Sequence, residues 1–268
     1  MKIGLIGCGR MGGALIEGAI TAGLVASSDV LLSSRSKESA QTLADKCGAV
    51  VAENNSQVAR ESDLVLLGCK PYQIIDILNE ISAELPGDTC LVSVAAGITL
   101  QSMEGASPEG TRIIRAMPNT PSLIGMGATG ISKGSHATDA DIAIAQKLLG
   151  SVGIVLETRE DQLDAVTGVS GSGPAYVYTF IEELAAQGVK EGLDADDALQ
   201  LATQTVIGAA RMVEQSPMSP AELRNQVTSP GGTTLAGLKA LTDSGFEKSV
   251  ATGVAAAAAR SREIAAES

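Results

Sequence analysis

Apolar and polar positions alternate in blocks along the first half of the chain. Short apolar runs rich in β-branched residues at 3–6, 30–33, 64–68 and 91–94 read as strands. Helical spacing fills the gaps: residues 12–22 closed by Gly23, 37–47 closed by Gly48, and 72–84 stopped by Pro86. Glycine just past a helix supplies the left-handed turn, and proline cannot continue the helix, so both are stop signals with a steric cause. This alternation predicts a parallel sheet covered by helices on both faces, extended by runs at 113–116, 129–132 and 154–157. Beyond about residue 160 the strand pattern ends. Helices are expected at 174–187 with Gly188 as cap, from Asp194 to about 214, after Ser219-Pro220-Ala221-Glu222, and over 235–242 and 247–263. The Ser219 segment combines a capping box with proline at the first helical position. The fold class is therefore an α/β N-terminal Rossmann-type doubly wound sheet over 1–158, followed by an all-α C-terminal domain over 159–268.

Composition sharpens this picture. Of 268 residues, 44% are hydrophobic but only 2% aromatic, so the core must be built from Ala, Val, Ile and Leu. Residues 255–259 are all alanine, which either reflects helix propensity alone or allows close helix packing, including between subunits. The formal charge of −12 opposes nonspecific binding to nucleic acid or anionic membranes, which need clustered cations. An anion must instead be held locally, by backbone N–H groups and a few placed cations. Cys8, Cys47, Cys69 and Cys90 lack metal-ligand spacing and the one histidine is His136, so no metal site is expected. His136 is expected at the surface, beside the capping sequence Thr138-Asp139-Ala140-Asp141. No apolar run reaches about 18 residues, and the first strand begins directly after Lys2 with no leader-like stretch. A cytoplasmic location with reduced thiols is the expectation.

The most informative motif is Gly7-Cys8-Gly9-Arg10-Met11-Gly12, a GxGxxG placed after a strand and opening a helix. The first glycine permits the turn, the second lets backbone approach a pyrophosphate, and the third allows close packing of helix on strand. After the second strand, sites for NAD carry an acidic residue that binds the ribose 2′-hydroxyl. Here the sequence is Ser33-Ser34-Arg35-Ser36-Lys37. A carboxylate would repel a 2′-phosphate, whereas hydroxyls and a guanidinium bind it, so NADPH/NADP is favoured over NADH. Cys69-Lys70-Pro71 and Ser93-Val94-Ala95-Ala96-Gly97 follow strands at their carboxyl ends, where open α/β sheets bind ligands. Small residues in the second segment leave room for a nicotinamide ring. Thr228-Ser229-Pro230-Gly231-Gly232-Thr233-Thr234 lies between two helices and exposes N–H groups ahead of a helix N-terminus, an arrangement fit for a small carboxylate.

With Met117-Pro118-Asn119-Thr120-Pro121 and Gly171-Ser172-Gly173-Pro174-Ala175-Tyr176, these motifs in this order resemble the pyrroline-5-carboxylate reductase family over nearly the whole chain. The resemblance implies NADPH-dependent reduction of 1-pyrroline-5-carboxylate to L-proline, the last step of proline biosynthesis. It also implies a helical domain that interlocks into a homodimer or a ring of dimers. Carried over by position, Ile6, Gly7, Cys8, Gly9, Arg10, Met11, Gly12, Ser34, Arg35, Asn55, Cys69, Lys70, Pro71, Ala95, Ala96 and Gly97 bind the cofactor. Gly231, Gly232, Thr233 and Thr234 hold the substrate, with Thr234 the catalytic candidate, bonding the ring nitrogen or the carboxylate. Glu160 and Gln226 fall on further substrate contacts, although Asn is common in the family where this chain has Gln226.

The expected chemistry needs little from the side chains. A protonated cyclic imine accepts hydride at its C=N carbon without a strong protein acid, so the protein supplies position and electrostatics. Two alternatives stand beside this. Another NADP-dependent reductase with a helical second domain commonly carries a catalytic Lys on a helix after the Rossmann domain, and 168–188 contains none. A nonenzymatic NADP-binding protein would not need the Pro230-Gly231-Gly232-Thr233-Thr234 turn.

Overall fold

The computed structural model describes residues 1–267. The strands are β1 (Ile3–Ile6), β2 (Val30–Ser33), β3 (Val50–Val51), β4 (Leu64–Leu67), β5 (Cys90–Ser93), β6 (Arg112–Met117), β7 (Gly127–Lys133) and β8 (Gly153–Glu157). They form one sheet in the order β3-β2-β1-β4-β5-β6-β7-β8. Pairing is parallel from β3 through β6, antiparallel between β6 and β7, and parallel again between β7 and β8. The β6–β7 link, residues 118–126, is too short for the crossover of a dozen or more residues that a parallel pair requires. The chain therefore turns back through a 3₁₀ segment, Thr120–Ile124.

Helices α1 (Arg10–Thr21), α2 (Lys37–Cys47), α3 (Asn55–Glu61), α4 (Ile74–Ile81), α5 (Leu100–Gly105) and α6 (Asp139–Gly150) cover the sheet. Successive strand residues point to opposite faces, so each strand feeds two cores. Ile3, Leu5, Val30, Leu32, Leu64 and Leu66 pack with α1, α2 and α6 on one face. Ile6, Leu31, Val65, Leu67, Leu91 and Ile113 pack with α3, α4 and α5 on the other. This two-sided burial is why β1, β2, β4 and β5 are buried at every position. The 72–84 pattern resolves into a 3₁₀ turn, the helix α4 and a second 3₁₀ turn. Helices α3, α5 and α6 and the two-residue β3 have no counterpart among the expected elements.

After β8 come the single turn α7 (Leu163–Val166), a π-helical turn at Thr167–Gly171 closed by Ser172 N–H to Thr167 C=O at 2.8 Å, then α8 (Gly173–Lys190), α9 (Ala195–Gln215), α10 (Pro220–Gln226), α11 (Thr233–Asp243) and α12 (Phe246–Glu267). The predicted cap at Gly188 is corrected: α8 continues to Lys190, and the left-handed turn falls at Gly192, φ +105°. Gly188 stays inside the helix because a side chain there would press on Leu193 Cδ1 (3.3 Å) and Ala198 Cβ (3.4 Å). The Ser219 capping box forms as read, with Ser219 Oγ accepting from Glu222 N–H at 3.3 Å and Glu222 Oε2 accepting from Ser219 N–H at 2.7 Å.

The chain divides into two compact units. One comprises Met1–Ser172 and the chain from Ala255 on; the other is Gly173–Val254. The boundary read from the sequence lies at 158/159, where the strands stop. The compact first unit extends further, because α7 and the π-helical turn pack with β7 and β6 residues, and α12 ends against it. Within the second unit α8 and α9 pack on each other. Its described buried residues are only Ala198 and Ala202, while Tyr178, Leu201, Met212 and Val227 are each more than half exposed.

Candidate functional site

The sheet order reverses between β1 and β4, the switch point at which open α/β sheets bind ligands beyond their strand ends. The turn after β1 is built there. Gly7 has φ +97°, and a Cβ on it would sit 2.7 Å from Cys69 Sγ and 2.8 Å from the Cys69 backbone nitrogen. A Cβ on Gly12 would sit 2.8 Å from Leu5 Cδ1 and 2.9 Å from the Gly7 carbonyl oxygen. The protein itself thus requires these two glycines. Gly9 differs: it is exposed, its backbone is ordinary extended, and a Cβ on it would meet only the Gly68 carbonyl oxygen, 3.9 Å away. It is the N-cap of α1, contributes no side-chain cap, and the first turn of α1 holds no acidic residue. The N–H groups of Arg10, Met11 and Gly12 therefore present the positive end of a helix with open space in front, a fit for phosphate. Ile6, the last residue of β1, is buried; Cys8 and Met11 are half-buried against the core.

At the end of β2, Ser33 is buried and donates its hydroxyl to Asn55 Oδ1 at 2.7 Å, and Asn55 Nδ2 donates to Glu80 Oε2 at 3.0 Å. Ser34 is half-buried and Arg35 exposed, and neither side chain makes a hydrogen bond or ion pair among the described residues. Ser36 is the N-cap of α2, its Oγ accepting from Ser39 N–H at 3.3 Å. Capping is thus performed by Ser36, leaving Ser34 and Arg35 uncommitted at the strand end.

Cys69 donates its thiol to the Ile6 carbonyl at 3.0 Å, and Cys8 to the Ser33 carbonyl at 3.5 Å. Burial pushes the Cys8 thiol up to about 12 and the Cys69 thiol to about 11. Both stay protonated at neutral pH, so neither is a nucleophile. They tie off carbonyls at the sheet's carboxyl edge. Lys70 and Pro71 follow, Pro71 opening the 3₁₀ turn before α4. After β5, Ala95 and Gly97 are buried and Ala96 is exposed. The close approach at Gly97 is made by α12: a Cβ on Gly97 would overlap Ile264 Cγ2.

The Met117–Pro121 loop is held by Asn119, which is buried. Its Nδ2 donates to the Ser170 carbonyl at 3.0 Å, and its Oδ1 accepts from Ala128 N–H at 2.8 Å. Asn119 thus joins the loop after β6 to the π-helical turn, a tie that neither motif reveals alone. Glu160 belongs to the same unit. Its Oε1 accepts from Arg115 Nη1 at 2.9 Å and from Leu100 N–H at 2.7 Å, the latter at the start of α5. This carboxylate, about a third exposed, neutralises an arginine whose side chain is 8% exposed. Glu160→Ala is expected to cost about 2 kcal/mol in denaturant unfolding, below the usual range for breaking a buried pair because Glu160 is about a third exposed.

In the second unit, Gly231 takes φ +74° and Gly232 is the N-cap of α11, where a Cβ would overlap Ser229 Oγ. Thr233 and Thr234 are the first helical residues, with no side-chain cap and no acidic residue in the turn. This N-terminus is arranged like that of α1, with Thr234 half-buried. Gln226, at the end of α10, is exposed and donates to Met218 Sδ at 3.0 Å. His136 is exposed.

An open sheet with a three-glycine turn at its switch point, followed by an all-helical region, defines a two-domain dinucleotide-binding oxidoreductase. Residues 2–97 match the family described as "NADP oxidoreductase coenzyme F420-dependent", and residues 160–264 match "Pyrroline-5-carboxylate reductase dimerisation". The chain is 40% identical to the pyrroline-5-carboxylate reductase of Methanosarcina acetivorans over 98% of this chain and 97% of that one. Among solved structures, that of a pyrroline-5-carboxylate reductase from Coxiella burnetii has a TM-score of 0.93 at 33% identity, covering 98% of both chains. That of the Plasmodium falciparum pyrroline carboxylate reductase with NADP bound has a TM-score of 0.88 at 31% identity, covering 99% of this chain and 98% of that one. The chain belongs to the pyrroline-5-carboxylate reductase family.

Among the described residues, no helix is long and apolar enough to cross a membrane.

Proposed function

We infer that this protein reduces 1-pyrroline-5-carboxylate to L-proline with NADPH. The observation that carries the reading is the full-length match to the reductases, which spans both the phosphate turn after β1 and the turn before α11. A direct assay tests it: protein, NADPH and pyrroline-5-carboxylate should together give loss of the reduced-cofactor absorbance and equimolar proline. No oxidation of NADPH would sink the reading.

The open space at Gly9, the uncapped start of α1 and the uncommitted Ser34 and Arg35 fit a phosphorylated dinucleotide. Gly9, Arg10, Met11 and Gly12 would hold its pyrophosphate; Ser34 and Arg35 its 2′-phosphate; Ile6, Asn55, Cys69, Lys70, Pro71, Ala95, Ala96 and Gly97 the rest of its length. When bound, the reduced nicotinamide supplies the hydride.

The chain's own residues position and polarise the imine. The N–H groups at the start of α11 stabilise the carboxylate through the helix dipole and orient the ring. The Thr234 hydroxyl holds a proton beside the ring nitrogen, favouring the cationic imine whose carbon is the electrophile. Thr234→Ala should lower kcat by about 100-fold, the low end of the usual range for a positioned acid–base group, with NADPH affinity unchanged. Within the first unit Glu160 neutralises Arg115, and Gln226, at the end of α10, would add a contact to the substrate.

The exposed apolar side chains of Gly173–Val254, with only two small residues buried, support a homo-oligomer in which these faces meet a second copy. A dimer, closed further into a ring of dimers, and a cytoplasmic location complete the proposal.

A further inference from the structure

The cofactor segment after β5 has an unusual neighbour. Gly97 is buried at φ +81°, a backbone region closed to most side chains, and it is also crowded from outside. A Cβ there would overlap Ile264 Cγ2 and lie 3.4 Å from Ile264 Cβ. Other positive-φ glycines, Gly23, Gly110 and Gly125, have no atom within 4 Å of that position, so this is not the common condition of a loop glycine. On the inner side Ala95 packs into the core with Ile98 and Leu100, leaving Ala96 as the exposed residue of the three.

Ile264 is itself held in place. One turn earlier in α12, Ser261 is 5% exposed and donates its hydroxyl to Asp164 Oδ1 of α7 at 2.6 Å. The last turns of α12 are thus pinned to the segment that follows β8 and lie on the cofactor loop. The end of α12 thus has a glycine beneath it and a part-buried hydroxyl–carboxylate bond beside it.

We propose that Ile264 is a positioning residue for the reaction: pinned by the Ser261–Asp164 bond, it sets where Ala95, Ala96 and Gly97 stand against the dinucleotide. The proposal rests on the reading that these three residues line the cofactor. Ile264 acts through them and touches neither reactant. It biases cofactor binding, because a loop released from its support must be reordered each time the dinucleotide binds.

The test uses the full-length protein, with NADPH affinity measured by fluorescence of the reduced cofactor and steady-state kinetics in both reactants. Ile264→Ala should raise the NADPH Kd about five- to tenfold, while the pyrroline-5-carboxylate KM at saturating NADPH stays within about twofold. Ile264→Val, which keeps the contact, should bind NADPH as wild type does. Ser261→Ala should weaken NADPH in the same direction as Ile264→Ala, and Asp164→Asn, which keeps an acceptor, should not. These two variants decide the matter if Ile264→Ala fails to fold. Unchanged NADPH affinity in Ile264→Ala or Ser261→Ala, or equal movement of both KM values, overturns the proposal. Gly97→Ala separates it from the reading beneath it. If Gly97→Ala leaves NADPH affinity intact, the loop does not line the cofactor and both fall. If Gly97→Ala weakens NADPH and Ile264→Ala does not, only the support by Ile264 falls. Partial recovery in Gly97→Ala/Ile264→Ala is the positive result, incomplete because the left-handed backbone strain on alanine remains.

Discussion

Gly9→Thr is expected to abolish measurable NADPH binding while the thermal midpoint stays within about 2 °C of wild type. The fold tolerates the change. Gly9 has φ −82° and ψ 179°, a conformation any residue adopts, and nothing but the Gly68 carbonyl lies near its Cβ position. Threonine is also about as good an N-cap as glycine. The ligand does not tolerate it, because a β-branched side chain fills the space through which phosphate reaches the N–H groups of α1. Losing two charge-assisted bonds at about 1.5–3 kcal/mol each weakens binding by at least about 100-fold. Calorimetry with NADPH and a thermal melt check both halves. Gly7→Ala is the contrasting control: with φ +97° and the Cys69 and Gly68 backbone within 2.8 Å, it should fail in stability before it fails in binding. Wild-type affinity in Gly9→Thr would place the pyrophosphate elsewhere.

Arg35→Asp should raise the KM for NADPH about 100-fold and leave that for NADH within about threefold, the gap reflecting one lost charge-assisted bond and one new repulsion. The 2′-phosphate is the only part of NADPH that NADH lacks, and it carries between one and two negative charges at neutral pH. Arg35 stands at the carboxyl end of β2, exposed and without a partner among the described residues, with the neighbouring capping duty already performed by Ser36. Reversal of its charge therefore breaks no internal bond, and the thermal midpoint should hold. Steady-state kinetics with both cofactors decide it; equal changes would remove Arg35 from 2′-phosphate recognition.

Much of the fold was legible because the strands buried on both faces are continuous apolar runs, so β1 and β2 fall on the predicted residues. Helix ends were legible where a local steric device sets them, as at Gly48, φ +76°, and at the Ser219 capping box. They were misread where the cause is tertiary. Gly188 looks like a cap in one dimension, and only the packing of Leu193 and Ala198 reveals why a glycine lies inside a helix. The two-residue β3 lacks a periodic signal and exists because Leu31 and Leu32 offer an edge to pair with. In the site, the glycine turn after β1 was readable from its spacing. The commitment of Glu160 to Arg115 was not, since its partner is 45 residues away.

What the sequence by itself determined is the plan: a doubly wound sheet, a helical second half, a turn of three glycines after the first strand, and a strand end without the acid that selects NAD. These follow from local periodicity and steric rules that act over a few residues. What only the tertiary structure decided is why each special residue is there. Gly7 and Gly12 are demanded by the protein whereas nothing in the fold crowds Gly9, although all three look alike in the motif. Gly97 answers to Ile264 across the fold, and Asn119 joins two loops that are far apart in the chain. Such roles depend on which atoms are brought within a few ångströms of one another, and chain order does not contain that distance.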